Sequence, residues 1–170
     1  LCDLYLGSCG LSTIPEFFAE LPSLRYLNLD RNSLTALPSR LPPNLKWLRL
    51  NQNKLTALPD EIGSLTKLER IYLRNNRLTT LPLTLKACSE IEDINLANND
   101  LSSFPAVLLE LPKLRNLDLS GNLKITKLPD DLSKMTSLRT LILRGTGLKL
   151  TEEGRSKIRA SLDDSCVVIF

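Results

Sequence analysis

Leu68-Glu-Arg-Ile71-Tyr-Leu73-Arg-Asn-Asn76-Arg-Leu78-Thr-Thr-Leu81-Pro82 carries the pattern that decides the fold. Apolar residues at 68, 71 and 73 are separated by polar ones, as in a short strand with one buried face. Asn76 then stands as the polar residue between Leu73 and Leu78, and an apolar–proline pair closes the segment. The same frame recurs on both sides. It opens at Leu1, Leu24, Leu45, Leu68, Ile91, Leu114 and Leu138, in steps of 23, 21, 23, 23, 23 and 24 residues. One such unit cannot bury its own apolar face, so the units must stack, and their strands form a parallel sheet.

This frame resembles the leucine-rich repeat, L-x-x-L-x-L-x-x-N-x-L-x-x-L-P, over nearly the whole chain. The resemblance implies a right-handed α/β solenoid, a horseshoe segment with a concave parallel sheet and convex loops or 3₁₀ turns. The fourth and sixth positions, such as Leu27 with Leu29 and Leu48 with Leu50, point inward. The ninth position reads Cys9, Asn32, Asn53, Asn76, Asn99, Asn122 and Thr146. In the family this asparagine satisfies backbone groups where the strand turns away, and buried backbone groups need such partners. Cys9 is a substitute the family tolerates. Thr146 departs further and marks the end of the ladder.

Ile14-Pro15, Leu37-Pro38, Leu58-Pro59, Leu81-Pro82, Phe104-Pro105 and Leu128-Pro129 close the turns. Proline fixes φ and removes a donor, which suits a convex loop and not a paired strand. The second unit is two residues shorter and carries Leu41-Pro42-Pro43, which predicts an extended convex side there. That unit resembles repeats of secreted bacterial effectors. The 23-residue units resemble intracellular Ras-pathway scaffold repeats.

The array is expected to span 1–150 as seven units, the last incomplete, with a capping helix and tail over 151–170. Thr151 is an N-cap candidate, acids come early and bases late, and Ile158 and Leu162 share one face. This helix is expected to cover the apolar end of the last unit. Val167-Val168-Ile169-Phe170 reads either as an edge strand or as the start of a further segment. Leu1 already lies inside the pattern, so the chain is expected to be part of a longer protein.

Hydrophobic residues make up 42% of the 170 residues, with no run near the roughly 20 residues a membrane span needs. No histidine occurs, which removes Ser-His-Asp and Cys-His catalysis and imidazole metal ligation. Asp130-Asp131, Glu152-Glu153 and Asp163-Asp164 lack calcium-loop spacing, and Gly145-Thr-Gly147 lacks a nucleotide fingerprint. No catalytic residue, metal, cofactor or small-molecule substrate is expected. Cys2, Cys9, Cys88 and Cys166 show no CxxC spacing, and no Asn-x-Ser/Thr sequon occurs. Free thiols in a reducing, intracellular compartment follow, either the cytoplasm or, for an effector, the host cytosol. Cys88 reads as a buried small hydrophobe.

The outward positions of the strands carry the remaining signal. The third column is Asp3, Tyr26, Trp47, Arg70, Asp93, Asn116 and Thr140, and the fifth is Tyr5, Asn28, Arg49, Tyr72, Asn95, Asp118 and Ile142. The seventh is Gly7, Asp30, Asn51, Arg74, Ala97, Ser120 and Arg144, and the eighth position is expected to project with it. Every Tyr and the single Trp fall on this face, and none of the four Phe does. Tyr, Trp and Arg are the residues enriched at binding hot spots. The candidate partner-binding residues are Tyr26, Trp47, Arg49, Arg70, Tyr72, Arg74 and Arg31, with Asn28, Asn51 and Asn95 beside them. The formal charge is only +3, although a local basic patch can hide inside a modest total. Asp3, Asp30, Asp93 and Asp118 share the face, and mixed signs favour a protein partner over nucleic acid. The expected function is non-catalytic protein binding through the concave face, as in a scaffold. The alternative is a recognition domain of a larger enzyme, such as an effector ubiquitin ligase, a Roco-type GTPase or a repeat-bearing phosphatase.

Overall fold

Each unit contributes one three-residue strand, because only the fourth-position side chain and its two neighbours fit between the corners of a turn. The computed structural model describes all 170 residues. The strands are β1 (Asp3–Tyr5), β2 (Tyr26–Asn28), β3 (Trp47–Arg49), β4 (Arg70–Tyr72), β5 (Asp93–Asn95), β6 (Asn116–Asp118) and β7 (Thr140–Ile142). A helix, α1 (Glu152–Ala160), leads to an eighth strand, β8 (Val167–Ile169). All eight lie in one parallel sheet in chain order. Equivalent positions face each other, as in Leu27 against Leu48 and Ile71 against Ile94. Parallel crossovers of this kind are right-handed. Leu27, Leu48, Ile71, Ile94, Leu117 and Leu141, at the middle of their strands, are buried. The opposite, concave face carries no covering element.

The convex side follows the prolines. Pro15, Pro59, Pro82 and Pro105, extended in ψ, lead into 3₁₀ turns at Glu16–Glu20, Asp60–Ser64, Leu83–Ala87 and Ala106–Glu110. The short second unit has no such turn, in line with its Pro42-Pro43 pair. After Pro129 the sixth unit also lacks one. There the Asp131 carboxylate accepts from the Ser133 N–H and holds a tighter bend.

The ninth-position asparagines form a ladder. The Asn76 amide donates to the Leu73 carbonyl of its own unit at 3.0 Å and to Leu50 of the preceding one at 2.8 Å. Its oxygen accepts from the Leu55 N–H at 3.0 Å. Asn32, Asn53, Asn99 and Asn122 repeat this arrangement, and all five are buried. Thr146 donates only to Leu143 of its own unit, so the ladder ends there.

The eighth position is left-handed in every unit. Ser8, Arg31, Gln52, Asn75 and Asn98 have φ between 54° and 58°, and Gly121 and Gly145 have φ of 72° and 70°. The strand's alternation ends at this position, and the side chains of Ser8, Arg31, Gln52 and Asn98 are exposed there. The chain needs one sharp reversal after the strand, and it takes it here, even where a side chain adds about 1–2 kcal/mol of strain.

Thr151 caps α1 by accepting from the Gly154 N–H at 3.2 Å. No residue of the helix itself is fully buried. Ile158 is half-buried against the core, and Leu162, just beyond the helix, is buried. The tail takes the edge-strand form, with Val168 opposite Leu141. Helix and strand together cover the last unit. Arg155 and Arg159 lie over the Phe170 ring at 5.3 and 5.0 Å.

All four cysteines are free. Burial pushes the Cys88 thiol up to about 11, and its Sγ donates to the Ile62 carbonyl. Cys166 is half-buried against the core.

Two stability measurements follow. Asn76→Ala strands the Leu55 N–H and two carbonyls, and urea denaturation should show a loss of about 1–3 kcal/mol. Gln52, whose side chain is exposed, tests the left-handed corner. Gln52→Gly should stay within about 1 kcal/mol of the parent, while Gln52→Val should lose about 1–2 kcal/mol.

Candidate binding surface on the concave face

Because strand register is fixed, side chains of one column sit on consecutive strands about 4.8 Å apart. Tyr26 opposes Trp47 in β2 and β3, and their rings meet edge to face at 5.8 Å. Tyr5 extends the row, 4.9 Å from Tyr26. The Arg70 guanidinium lies 4.5 Å over the Trp47 ring, and Arg49 lies 5.3 Å over Tyr72. Such cation–π contacts hold ring and guanidinium in a fixed relative orientation.

Two of these arginines are also ion-paired across strands. Arg49 donates to the Asp30 carboxylate at 2.8 Å, and Arg70 reaches Asp93 at 3.2 Å. Asp30 further accepts from the Asn51 N–H at 2.7 Å, so its carboxylate is fully engaged. The candidate arginines are therefore positioned groups and not free charges. Arg74 differs: its backbone N–H donates to Asn51 Oδ1, while its side chain is exposed.

Asn28 and Asn95 each accept from the N–H two residues on, and Asn51 accepts from the next strand. The Asn95 amide donates to Asp118. These oxygens are spent on the backbone, which leaves the amide groups of Asn28 and Asn51 to the surface. Arg31 sits at the left-handed corner and belongs to the flank beside the face, apart from the aromatic row. Ala97, in the outward seventh column, is buried.

A groove of about 470 Å³ runs along the aromatic row, lined by Asp3, Tyr5, Arg25, Tyr26, Lys46, Trp47 and Glu69. Lys46 pairs with Glu69 at 2.6 Å, and this hydrogen bond, opposed by burial, holds the Glu69 carboxyl below the usual carboxylate range. Five of the lining residues escaped the sequence reading as site residues: Asp3, Tyr5, Arg25, Lys46 and Glu69. A signal existed. The second column is charged in every unit from Arg25 through Lys46, Glu69, Glu92 and Arg115 to Arg139, which marks it as a solvent-facing border of the sheet.

A leucine-rich repeat family model matches residues 43–101 and 89–148, and a second matches 23–43. The chain belongs to the leucine-rich repeat family. Among solved structures, it is similar to a leucine-rich repeat protein of Leptospira interrogans, at 26% identity and TM-score 0.65. That match covers 100% of this chain and 55% of the other. A chain of the Drosophila Toll–Spatzle complex matches at 25% identity and TM-score 0.77, covering 85% of this chain and 22% of that one. The functional domain of InlJ from Listeria monocytogenes shares the fold at 23% identity and TM-score 0.78, over 100% of this chain and 34% of its own. The chain thus spans about half the Leptospira protein and a smaller part of the other two. Comparison with curated proteins finds no match. No helix of this leucine-rich repeat chain is long and apolar enough to cross a membrane.

The pairing of Asp30 with Arg49 is directly measurable. A double-mutant cycle with Asp30→Ala and Arg49→Ala should give a coupling of about 0.5–1 kcal/mol in denaturant unfolding, the range for a partly exposed pair. Additive single effects would contradict the geometry.

Proposed function

We propose that this leucine-rich repeat array binds a protein partner through its concave face, without catalysis in this chain. The fold is commonly a protein–protein interaction module. One observation carries the reading: Tyr5, Tyr26 and Trp47 form a continuous aromatic row along an uncovered groove, in a chain with only eight aromatic residues. Tyr26, Trp47, Arg49, Arg70, Tyr72 and Arg74 are the anchors, with Asn28, Asn51 and Asn95 as polar contacts and Arg31 at the border. The rings are held before binding by Arg70 and Arg49, so little side-chain entropy remains to be lost. Nucleic acid is disfavoured, because guanidinium groups already occupy faces of Trp47 and Tyr72 on which bases would stack. Four free thiols support a reducing, intracellular setting.

Trp47 is the only tryptophan and serves as both anchor and reporter. Partners captured by the wild-type chain should quench or shift its fluorescence. Trp47→Ala should weaken their binding about thirtyfold or more, with melting temperature nearly unchanged. Lys67→Ala, on the convex side, should leave affinity intact. Normal binding by the Trp47 variant together with loss in convex variants would move the interface to the outer rim.

A further inference from the structure

The net charge of +3 is unevenly spread. Of the cations near the amino ends of the strands and on the convex turns, four are tied across neighbouring units: Lys46 to Glu69, Lys113 to Glu90, Lys134 to Glu110, Arg139 to Asp163. The opposite flank, where each strand turns toward the convex side, follows another rule. Arg31, Lys54, Arg74 and Arg77 stand there on three successive units, all exposed. No ion pair reaches any of them.

The backbone shows that these turns are stacked. The Lys54 N–H donates to the Leu34 carbonyl and the Arg77 N–H to Leu55, each at 2.8 Å, so the tenth positions form a column like those of the sheet. Two acids share the flank in these and the next unit. Asp30 is consumed by Arg49 and the Asn51 N–H. Asp100 follows Arg77 in the tenth column and bounds the patch on that side. Four unneutralised cations over about 10–15 Å repel one another, since that spacing is comparable to the roughly 8 Å screening length at physiological salt. Ten of the 22 cations are ion-paired, and none of these four is among them.

We propose that this flank binds an extended, acidic segment of a partner protein, rich in Asp and Glu. Three guanidinium groups offer bidentate contacts to carboxylates, and an extended peptide at about 3.3 Å per residue crosses the three turns with four or five residues. A membrane surface fits less well, because the large exposed apolar side chains of these units lie elsewhere, Trp47 on the concave face and Leu83 in a convex 3₁₀ turn. A nucleic acid finds phosphate contacts here, but the corner segments 30–33, 51–54 and 74–77 carry no aromatic residue on which a base could stack. The inference goes beyond the concave-face reading and does not require it.

The test measures anisotropy of a fluorescein-labelled hexaglutamate peptide at about 50 mM salt, where surface charges are weakly screened. Lys54→Glu/Arg77→Glu should weaken binding about tenfold or more, and raising the salt should weaken the wild-type complex. Lys67→Glu/Lys86→Glu, with the same change in net charge on the convex side, should bind nearly as the parent does. Trp47→Ala should leave hexaglutamate affinity unchanged, so a failure of the concave-face reading appears separately. An oligothymidylate of equal charge and phosphatidylserine vesicles should bind more weakly than the peptide. Absence of hexaglutamate binding, equal loss in the convex variant, or preference for the oligonucleotide or the vesicles would each overturn the proposal. Thermal melts of both charge variants should stay close to the wild type, since no hydrogen bond of the fold uses the Lys54, Arg77 or Lys86 side chain and the one Lys67 makes, to Asn44 Oδ1, is exposed.

Discussion

Everything on the concave face depends on what happens behind it, at the carboxamide of the ninth residue. A strand of three residues leaves its last carbonyls pointing into an apolar stack, with no water and no further strand to accept them. Asn76 meets two such carbonyls and one N–H from two different units. It has the donors and the acceptor to do so, and it is short enough to fit. Leaving any of these groups unpaired would cost about 1–3 kcal/mol, more than the roughly 0.8 kcal/mol one buried methylene contributes. The amide therefore sets the spacing and register of neighbouring turns, and register places Tyr26 beside Trp47.

A column fixed in this way can be read directly from spacing, which is why the sequence revealed the sheet, the ladder and the outward aromatic face. Contacts between columns were less legible. Whether Arg49 turns toward Asp30, Tyr72 or solvent depends on side-chain torsions that no periodicity encodes. The left-handed corner was hidden for another reason. Gly121 and Gly145 announce it, and Asn75 and Asn98 tolerate it, but Arg31 and Gln52 give no hint of positive φ. Ala97 is buried through its small size, against the polarity of its column. For Val167–Phe170 the apolar pattern left two options, an edge strand or the start of a further segment, and only the pairing with β7 decides for the strand.

The same register sorts the charges. On one side of the sheet, acids and bases of adjacent units stand opposite each other and pair, as Lys46 and Glu69 do. Pairs of this kind are exposed and individually weak, so their effect is less on stability than on what the surface offers to a partner. They neutralise one flank. On the other flank, the corner geometry turns side chains outward, and the cations of units two to four meet no acid within reach.

Short reach along the chain has its own outcome for how the molecule forms. The amides of the ladder join units through bonds between residues 19 to 26 apart, from the second unit to the sixth. Each unit therefore closes a loop of nearly the same length, at nearly the same entropic cost. No step waits for distant parts of the chain to meet. Ordering can start at whichever pair of units first buries its leucines and spread from there in both directions, like a zipper with a tooth every 23 residues.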